Sequence, residues 1–380
     1  MKLFIVVILC FCFQISVFAD YGAAISAEAA AAGNGETNVG GYVTFAPWLS
    51  LPVGSADFIF STGLSVGFGE KIIVVPEIFR LEILTQNFRA GRIFWQDGSG
   101  FIARGFLDGV DTQVNLGSFS LGAGAFYTGL LFKDTANINI TPGDPKNYNA
   151  KFDWSDFSNT YFAPSRFIVS AYGEFPGFPY MRGQLYAGLI AQFDMSKADK
   201  RLSSYYLYAR NTFGYRSFDF TASGAVSYSN GMSFALFLEG GWQTGMLNDR
   251  LSMEFRWASG EGNITSAFFP ITRISQGTVL RHWFSGIMMM RIKYEARFLP
   301  ELSGHISGRY YLRTDDVTFK DPFLENNSYS LGIEFDAGLI WVPYSDLSFS
   351  LGAGVFAPTG AMRSDAPVRW SVNIAAIFSF

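Results

Sequence analysis

The segment from Val368 to Phe380 restricts the possible folds more than any other stretch of the chain. Val368, Trp370, Val372, Ile374, Ala376, Phe378 and Phe380 take every second position, with Arg369, Ser371, Asn373, Ala375 and Ser379 between them and Ile377 the exception. Only an extended strand sends successive side chains to opposite faces in this way. The pattern recurs along the chain. Phe218, Phe220, Ala222, Val226 and Tyr228 oppose Asp219, Thr221, Ser223 and Ser227, and Leu251, Met253, Phe255 and Trp257 oppose Ser252, Glu254 and Arg256. Ile292, Tyr294, Ala296 and Phe298 oppose Arg291, Lys293, Glu295 and Arg297. Tyr329, Leu331, Ile333, Phe335 and Leu339 oppose Ser330, Glu334 and Asp336. From Val39 onward about seventeen such segments follow one another, separated by Gly, Pro, Asn, Asp or Ser.

These segments run to roughly twice the five or six residues typical of strands in soluble sheets. Their apolar faces are rich in aromatic side chains, and their opposite faces carry small, polar and charged groups. Only 16% of residues are charged, against about 25% in an ordinary soluble domain. Beyond residue 20 no apolar run reaches the roughly 18 residues of a membrane-crossing helix. A sheet survives in hydrocarbon only when it closes on itself and satisfies every backbone group. The sequence therefore predicts an all-β fold, a closed antiparallel transmembrane β-barrel of sixteen or eighteen strands, apolar outside and polar inside. Inward glycines such as Gly122, Gly124, Gly352 and Gly354 relieve crowding in a curved wall.

The first nineteen residues read as a cleaved secretory signal peptide: Lys2, an apolar stretch from Leu3 to Phe13, and Val17-Phe18-Ala19 before Asp20. Cys10 and Cys12 both fall in it, so the mature chain is expected to hold neither disulfides nor thiolate metal sites. Residues 20–35 read as a flexible small-residue lead, and 36–380 as a single barrel domain. Short links at 85–87, 116–118, 300–301 and 343–346 alternate with long ones at 95–108, 132–165, 259–283 and 314–326. Periplasmic turns and external loops of a barrel alternate in this way. With the last strand ending in the periplasm, an even count requires either one spurious segment or one hidden in the lead or a long loop.

Two stretches resemble a known family. Arg89-Ala90-Gly91-Arg92, then Asp97-Gly98, then Asp108-Gly109-Val110, is similar to the G-R…D-G-V segment of alginate-export-type outer-membrane porins. Trp257-Ala258-Ser259-Gly260-Glu261, followed by Phe268-Phe269-Pro270, resembles that family's loop after a strand, with Glu261 in place of the usual Asp. The terminal Phe380 is similar to the signal by which the barrel-assembly machinery takes up outer-membrane strands. The resemblance implies an eighteen-stranded channel with a positive lumen and anionic cargo.

The charged inward positions are the candidate selectivity residues. One strand offers Arg291, Lys293, Glu295 and Arg297, its neighbour His305, Arg309 and Arg313, and the next Glu334 and Asp336. Set side by side they form a basic patch facing acids, the transverse field that pores use for selectivity. Arg80 with Glu82, Arg256 with Glu254, and Arg210 with Asp219 extend the lining, and Tyr206, Tyr208 and Tyr311 offer inward rings for solute contact. The bland alternative is that these charges pair across strands and plug the wall. His282 and His305 are the only histidines and have no second ligand at a useful spacing, so no metal or cofactor is expected, and no catalytic set either. The acids Asp134, Asp144, Asp153 and Asp156 in one long loop lack calcium-site spacing. A formal charge of −4 gives no reason to invoke nucleic acid. The sequence thus points to passive passage of small hydrophilic, anion-leaning solutes across an outer membrane. The alternative is a structural or surface-interaction barrel with a closed lumen and partner-binding external loops. No oligomeric state is specified.

Overall fold

The computed structural model describes residues 19–380 except 35, 69–71, 142, 145–147, 149, 179–181, 197–200, 263 and 326–327. The segment read as a signal peptide lies, up to residue 18, outside the described residues. The strands are β1 (Asp20–Gly33), β2 (Thr37–Val53), β3 (Ala56–Phe68), β4 (Ile73–Leu84), β5 (Phe88–Gln96) and β6 (Arg104–Asn115). Then come β7 (Ser120–Tyr127), β8 (Arg166–Pro176), β9 (Gly183–Asp194), β10 (Ser204–Tyr215), β11 (Phe218–Tyr228) and β12 (Met232–Trp242). β13 (Arg250–Ala258), β14 (Ile287–Leu299), β15 (Leu302–Arg313), β16 (Ser330–Tyr344), β17 (Leu347–Pro358) and β18 (Arg369–Ser379) complete the set.

Each strand pairs antiparallel with its neighbours in the chain, and β18 pairs with β1 from Ala24↔Ser379 to Gly33↔Trp370. The protein is a closed eighteen-stranded antiparallel barrel. Ala23 and Phe380 exchange both backbone hydrogen bonds, at 2.8 and 2.9 Å, and finish the closing seam. The outward rows are exposed and apolar, as in Leu81 and Ile83 of β4 or Met290 and Ile292 of β14. The inward rows hold the polar and charged groups.

The expected lead is corrected. Residues 20–33 are β1, and this strand decides the count at eighteen. It is built from Ala23, Ala24, Ala27 and Ala29–Ala32, small groups that fit the pleat without an aromatic period to announce it. Its small residues also accept large neighbours: the Trp48 ring covers Gly22 and the Trp370 indole covers Gly33. A second difference lies in β16. Between Tyr311 and Leu312 the register slips by one residue, leaving Leu331 unpaired. Such a bulge turns its residue to the other face, and Leu331 points inward and is fully buried.

Connections alternate as expected. The end holding Ala23 and Phe380 carries short turns such as Gly54-Ser55, with Gly54 at φ +65°, and Thr85–Asn87, closed by a Thr85 N to Phe88 O bond of 2.8 Å. The other end carries the long loops, and four of them fold into the lumen. Loop 97–103 follows β5. Loop 128–165 contains two one-turn helices, α1 (Lys133–Ala136) and α2 (Phe157–Thr160). Loops 259–286 and 314–329 complete the group. Phe101, Phe268, Phe284, Ile271 and Phe319 from three of these loops meet in one buried cluster, so the core of this barrel sits inside its wall at the long-loop end.

Candidate functional site

The register sets Glu254, Arg291, Arg309, Glu334, Phe356 and Arg369 side by side across five consecutive seams. Inward positions at one height are neighbours, and the acids among them bind the adjacent bases. Glu254 binds Arg256 at 2.6 Å and also Arg291. Arg309 binds Glu334 at 3.0 Å and also Asp336, which takes Ser307 Oγ at 2.5 Å and lies 3.3 Å from His305 Nε2. Lys293 binds Glu295 at 2.5 Å, and Arg80 binds Glu82 at 2.5 Å. Arg291 and Arg309 stand side by side, but each is bound to an acid, so the expected basic patch and the acids on the next strand form ion pairs within the wall. Asp219 pairs with Arg250 at 2.5 Å, where the sequence suggested Arg210.

Two predicted lining residues serve the barrel's ends instead. Arg297 donates from Nε to the Pro300 carbonyl at 3.1 Å, beyond a register shift that lets β14 turn over. Arg313 is buried and donates to the Ser328 carbonyl at 2.9 Å, stapling loop 314–329 to the rim. Glu334 has a role the periodicity could not reveal. Its carboxylate accepts the backbone N–H groups of Thr278 at 2.7 Å, Val279 at 3.3 Å and Leu280 at 2.9 Å. Loop 259–286 is thus hung inside the lumen from one fully buried acid. Tyr311 O–H donates to Gln276 O at 3.1 Å and Tyr206 O–H to Phe269 O at 2.6 Å, so two of the three predicted solute tyrosines hold this loop as well.

His282, in the same loop, packs on the Phe319 ring with centroids 4.6 Å apart. Burial lowers its pKa from 6.5 to about 4, outweighing the hydrogen bond to the Ser285 carbonyl and the pull of Asp321. A base depressed in this way stabilises the docked loop fully above pH 6.5 and loses that contribution as pH falls toward 4. One pKa unit is worth about 1.4 kcal/mol, so the loss reaches at most about 3 kcal/mol. Protease cleavage within 259–286 is expected to rise between pH 7 and pH 4.5, and His282→Gln to flatten that rise. An unchanged profile in the variant would refute the assignment.

The space left open lies on the opposite wall, below loop 97–103. One cavity of about 390 Å³ is lined by Arg89, Gln96, Gln113, Tyr172, Tyr186 and Tyr208, among others. A second of about 290 Å³ shares Gln96, Gly98 and Tyr186 with it and adds Gln184, Arg210 and Thr212. The roof is made by Asp97, whose carboxylate takes the N–H groups of Gly100 at 2.9 Å, Ile102 at 3.0 Å and Ala103 at 2.7 Å, folding loop 97–103 into a compact turn. Gly98 passes under Tyr186 and Tyr208, too close for any side chain. Most charges here are committed: Arg89 to Asp111 at 2.7 Å, and Glu174 to Tyr186 O–H at 2.8 Å. Arg210 is the exception, with no carboxylate partner among the described residues and a buried, unbonded Nε. Tyr172 and Tyr186 are inward in the alternation of their strands, although the sequence reading does not single them out, whereas Gln96, at the end of β5, has the parity of the outward Phe94 and reaches the cavity only where the strand gives way to loop 97–103.

No family model and no curated protein matches the chain. Solved structures resemble it along nearly its whole length. OccK2 (OpdF) of Pseudomonas aeruginosa in complex with glucuronate has a TM-score of 0.63 and 11% identity, over 95% of this chain and 98% of that one. OprD from Pseudomonas aeruginosa gives 0.60 and 12%, over 95% and 93%. OccK11 (OpdR) of the same organism gives 0.60 and 10%, over 95% and 96%. The alginate-export-type resemblance of the two short motifs finds no support in these comparisons. What the chain shares with OprD- and Occ-type outer-membrane structures is the closed barrel fold.

Proposed function

We propose that the protein is an outer-membrane channel for passive passage of small hydrophilic solutes, and that it favours organic acids of sugar size. The carrying observation is the lumen chamber, where the unpaired Arg210 guanidinium stands among the hydroxyl and amide groups of Tyr186, Gln96, Gln184 and Thr212. A carboxylate can take the guanidinium fork while its hydroxyls use the amide and phenol groups. Rings turned to the cavity add apolar faces for a sugar. The neighbouring acids are taken up by neutral donors, Asp97 by backbone N–H groups and Glu174 by Tyr186 and Gln184, so Arg210 is, among the described residues, the one cation of the chamber left to meet an anion. A single such site attracts the solute without trapping it, as conduction requires. The fold is shared with a channel solved with glucuronate, which fits the same reading. Phe380, at the end of the closing strand, is the residue we assign to recognition by the assembly machinery.

The test is conductance of the refolded protein in a planar bilayer. Discrete steps with anion preference, blocked by glucuronate, are expected. Arg210→Ala should weaken that block about tenfold or more, since a hydrogen bond to a charged group is worth roughly 1.5–3 kcal/mol. A silent bilayer over a folded barrel, or a block indifferent to Arg210, would sink the reading.

A further inference from the structure

The wall is interrupted at one seam. β4 and β5 pair over four residues each, Leu81–Leu84 against Arg89–Arg92, whereas the other seams are laddered over eight residues or more. Gly91, at φ +111°, lies under the Leu81 carbonyl with no room for a side chain, and above it β5 leaves β4. The stretch Ile73–Arg80 is thus left without a strand on that side. Its outward row, Val74 and Ile78 continuing to Leu81 and Ile83, is nonetheless exposed and apolar like the rest of the lipid-facing band. An open strand edge is intolerable in hydrocarbon unless its groups find other partners.

Side chains supply them. Trp154 Nε1–H donates to the Val74 carbonyl at 2.9 Å, Tyr161 O–H to Pro76 at 2.8 Å, and Arg92 Nη1–H to Ile78 at 2.8 Å. These are three carbonyls at alternate positions on one edge, and Pro76 has no N–H there to satisfy. The rings of Phe132, Phe152 and Tyr161 pack against Ile73 and Val75, while Trp154 is 58% exposed. Arg92 closes the lower corner, gripping Asp108 at 2.7 and 2.9 Å and the Leu130 carbonyl at 3.0 Å. An aromatic wedge from loop 128–165 stands where the upper half of a strand would be.

We propose that this seam is a lateral passage, in which the wedge is a removable section of wall. A compact molecule with an aromatic or aliphatic body and one hydrogen-bonding head would move through it between the lumen and the surrounding lipid. The wedge is held by side chains bonded to main chain, so it can withdraw without unzipping a strand ladder. Its rings offer the apolar body a surface, and the buried Glu77, bonded to Thr135, gives the head a polar partner on the inner side. The inference is independent of whether the aqueous chamber conducts.

The test uses single cysteines, because beyond Cys12 the chain has none. With Cys10 and Cys12 replaced by serine, Val75→Cys places a thiol behind the wedge. Thr212→Cys places one in the chamber between fully laddered strands. Proteoliposomes are labelled either with pyrenylmaleimide dissolved in the bilayer or with a sulfonated maleimide in the water. The ratio of the lipid-borne to the water-borne rate is expected to be about tenfold or more higher at Val75→Cys, as local opening of a weakly held segment requires. Adding Trp154→Ala should raise it further, and Tyr161→Phe should do so while keeping every ring. Folding of each variant is checked by heat-modifiable gel migration. Equal ratios at the two sites with the wedge intact overturn the proposal. So does a ratio that rises only after Trp154→Ala, which would make the wedge a permanent seal.

Discussion

Replacing Glu334 by alanine is expected to enlarge the conducting path several-fold and to free loop 259–286. The buried carboxylate accepts three consecutive backbone N–H groups and pairs with Arg309. Its removal leaves those donors without an acceptor in a dry place, where each costs roughly 1–3 kcal/mol. Loss of one partner from a buried ion pair costs about 3–5 kcal/mol when the other is stranded. Arg309 keeps Asp336, so the larger part of the loss falls on the loop. The cheapest relief is for residues 276–284 to leave the lumen and hydrate. Single-channel conductance and protease sensitivity of the loop check this together. Glu334→Gln keeps one acceptor oxygen and should fall between. Unchanged conductance with an intact loop would show that the Phe268–Phe284 cluster and the Tyr206 and Tyr311 bonds suffice to hold it.

Arg166→Ala should loosen the other large loop. This side chain is fully buried at the start of β8, 2.8 Å from Asp194 and also bound to Asp144, with Thr141 Oγ1 at 3.3 Å. It ties loop 128–165 to the last residue of β9. Deleting it leaves two buried acids facing each other, a defect worth roughly 3–5 kcal/mol. Every 1.4 kcal/mol is about a factor of ten, so amide exchange at Asn139, Thr141 and Asp144 should quicken a hundredfold or more. Restoring balance with Asp144→Asn in the same chain should recover part of the protection. Full protection in the single variant would mean that the aromatic wedge, not the ion pairs, fixes the loop.

The barrel could be read along the chain because each lipid-facing strand repeats its own environment at every second residue. Val368 to Phe380 is legible without any other part of the molecule, and so is the alternation of short and long links. β1 was illegible for the same reason. Alanines satisfy both faces of a wall, so they carry no period, although their pairing with β2 and β18 is as regular as any. The candidate site divides along a similar line. That Arg291, Arg309, Glu334 and Asp336 face inward follows from parity alone. Whether a charge is spent on a neighbouring strand, a turn carbonyl or an infolded loop depends on partners far away in sequence. Arg297 and Arg313 went to carbonyls and Glu334 to a loop some fifty-five residues distant. Arg210 and Asp219 lie on paired strands, yet it is Arg250 that binds this acid. Contacts between a wall and what hangs inside it are not periodic, and no local pattern encodes them.

The bonds between Ala23 and Phe380 make the wall a ring without a first or last strand. Chain order and spatial order are then separable. A short peptide joining residue 380 to residue 20, with a new break opened in the link between β11 and β12, would present the same cylinder from a different starting point. Any asymmetry such a rearranged molecule shows while entering a bilayer must come from the order in which its strands are delivered, since the finished ring is identical.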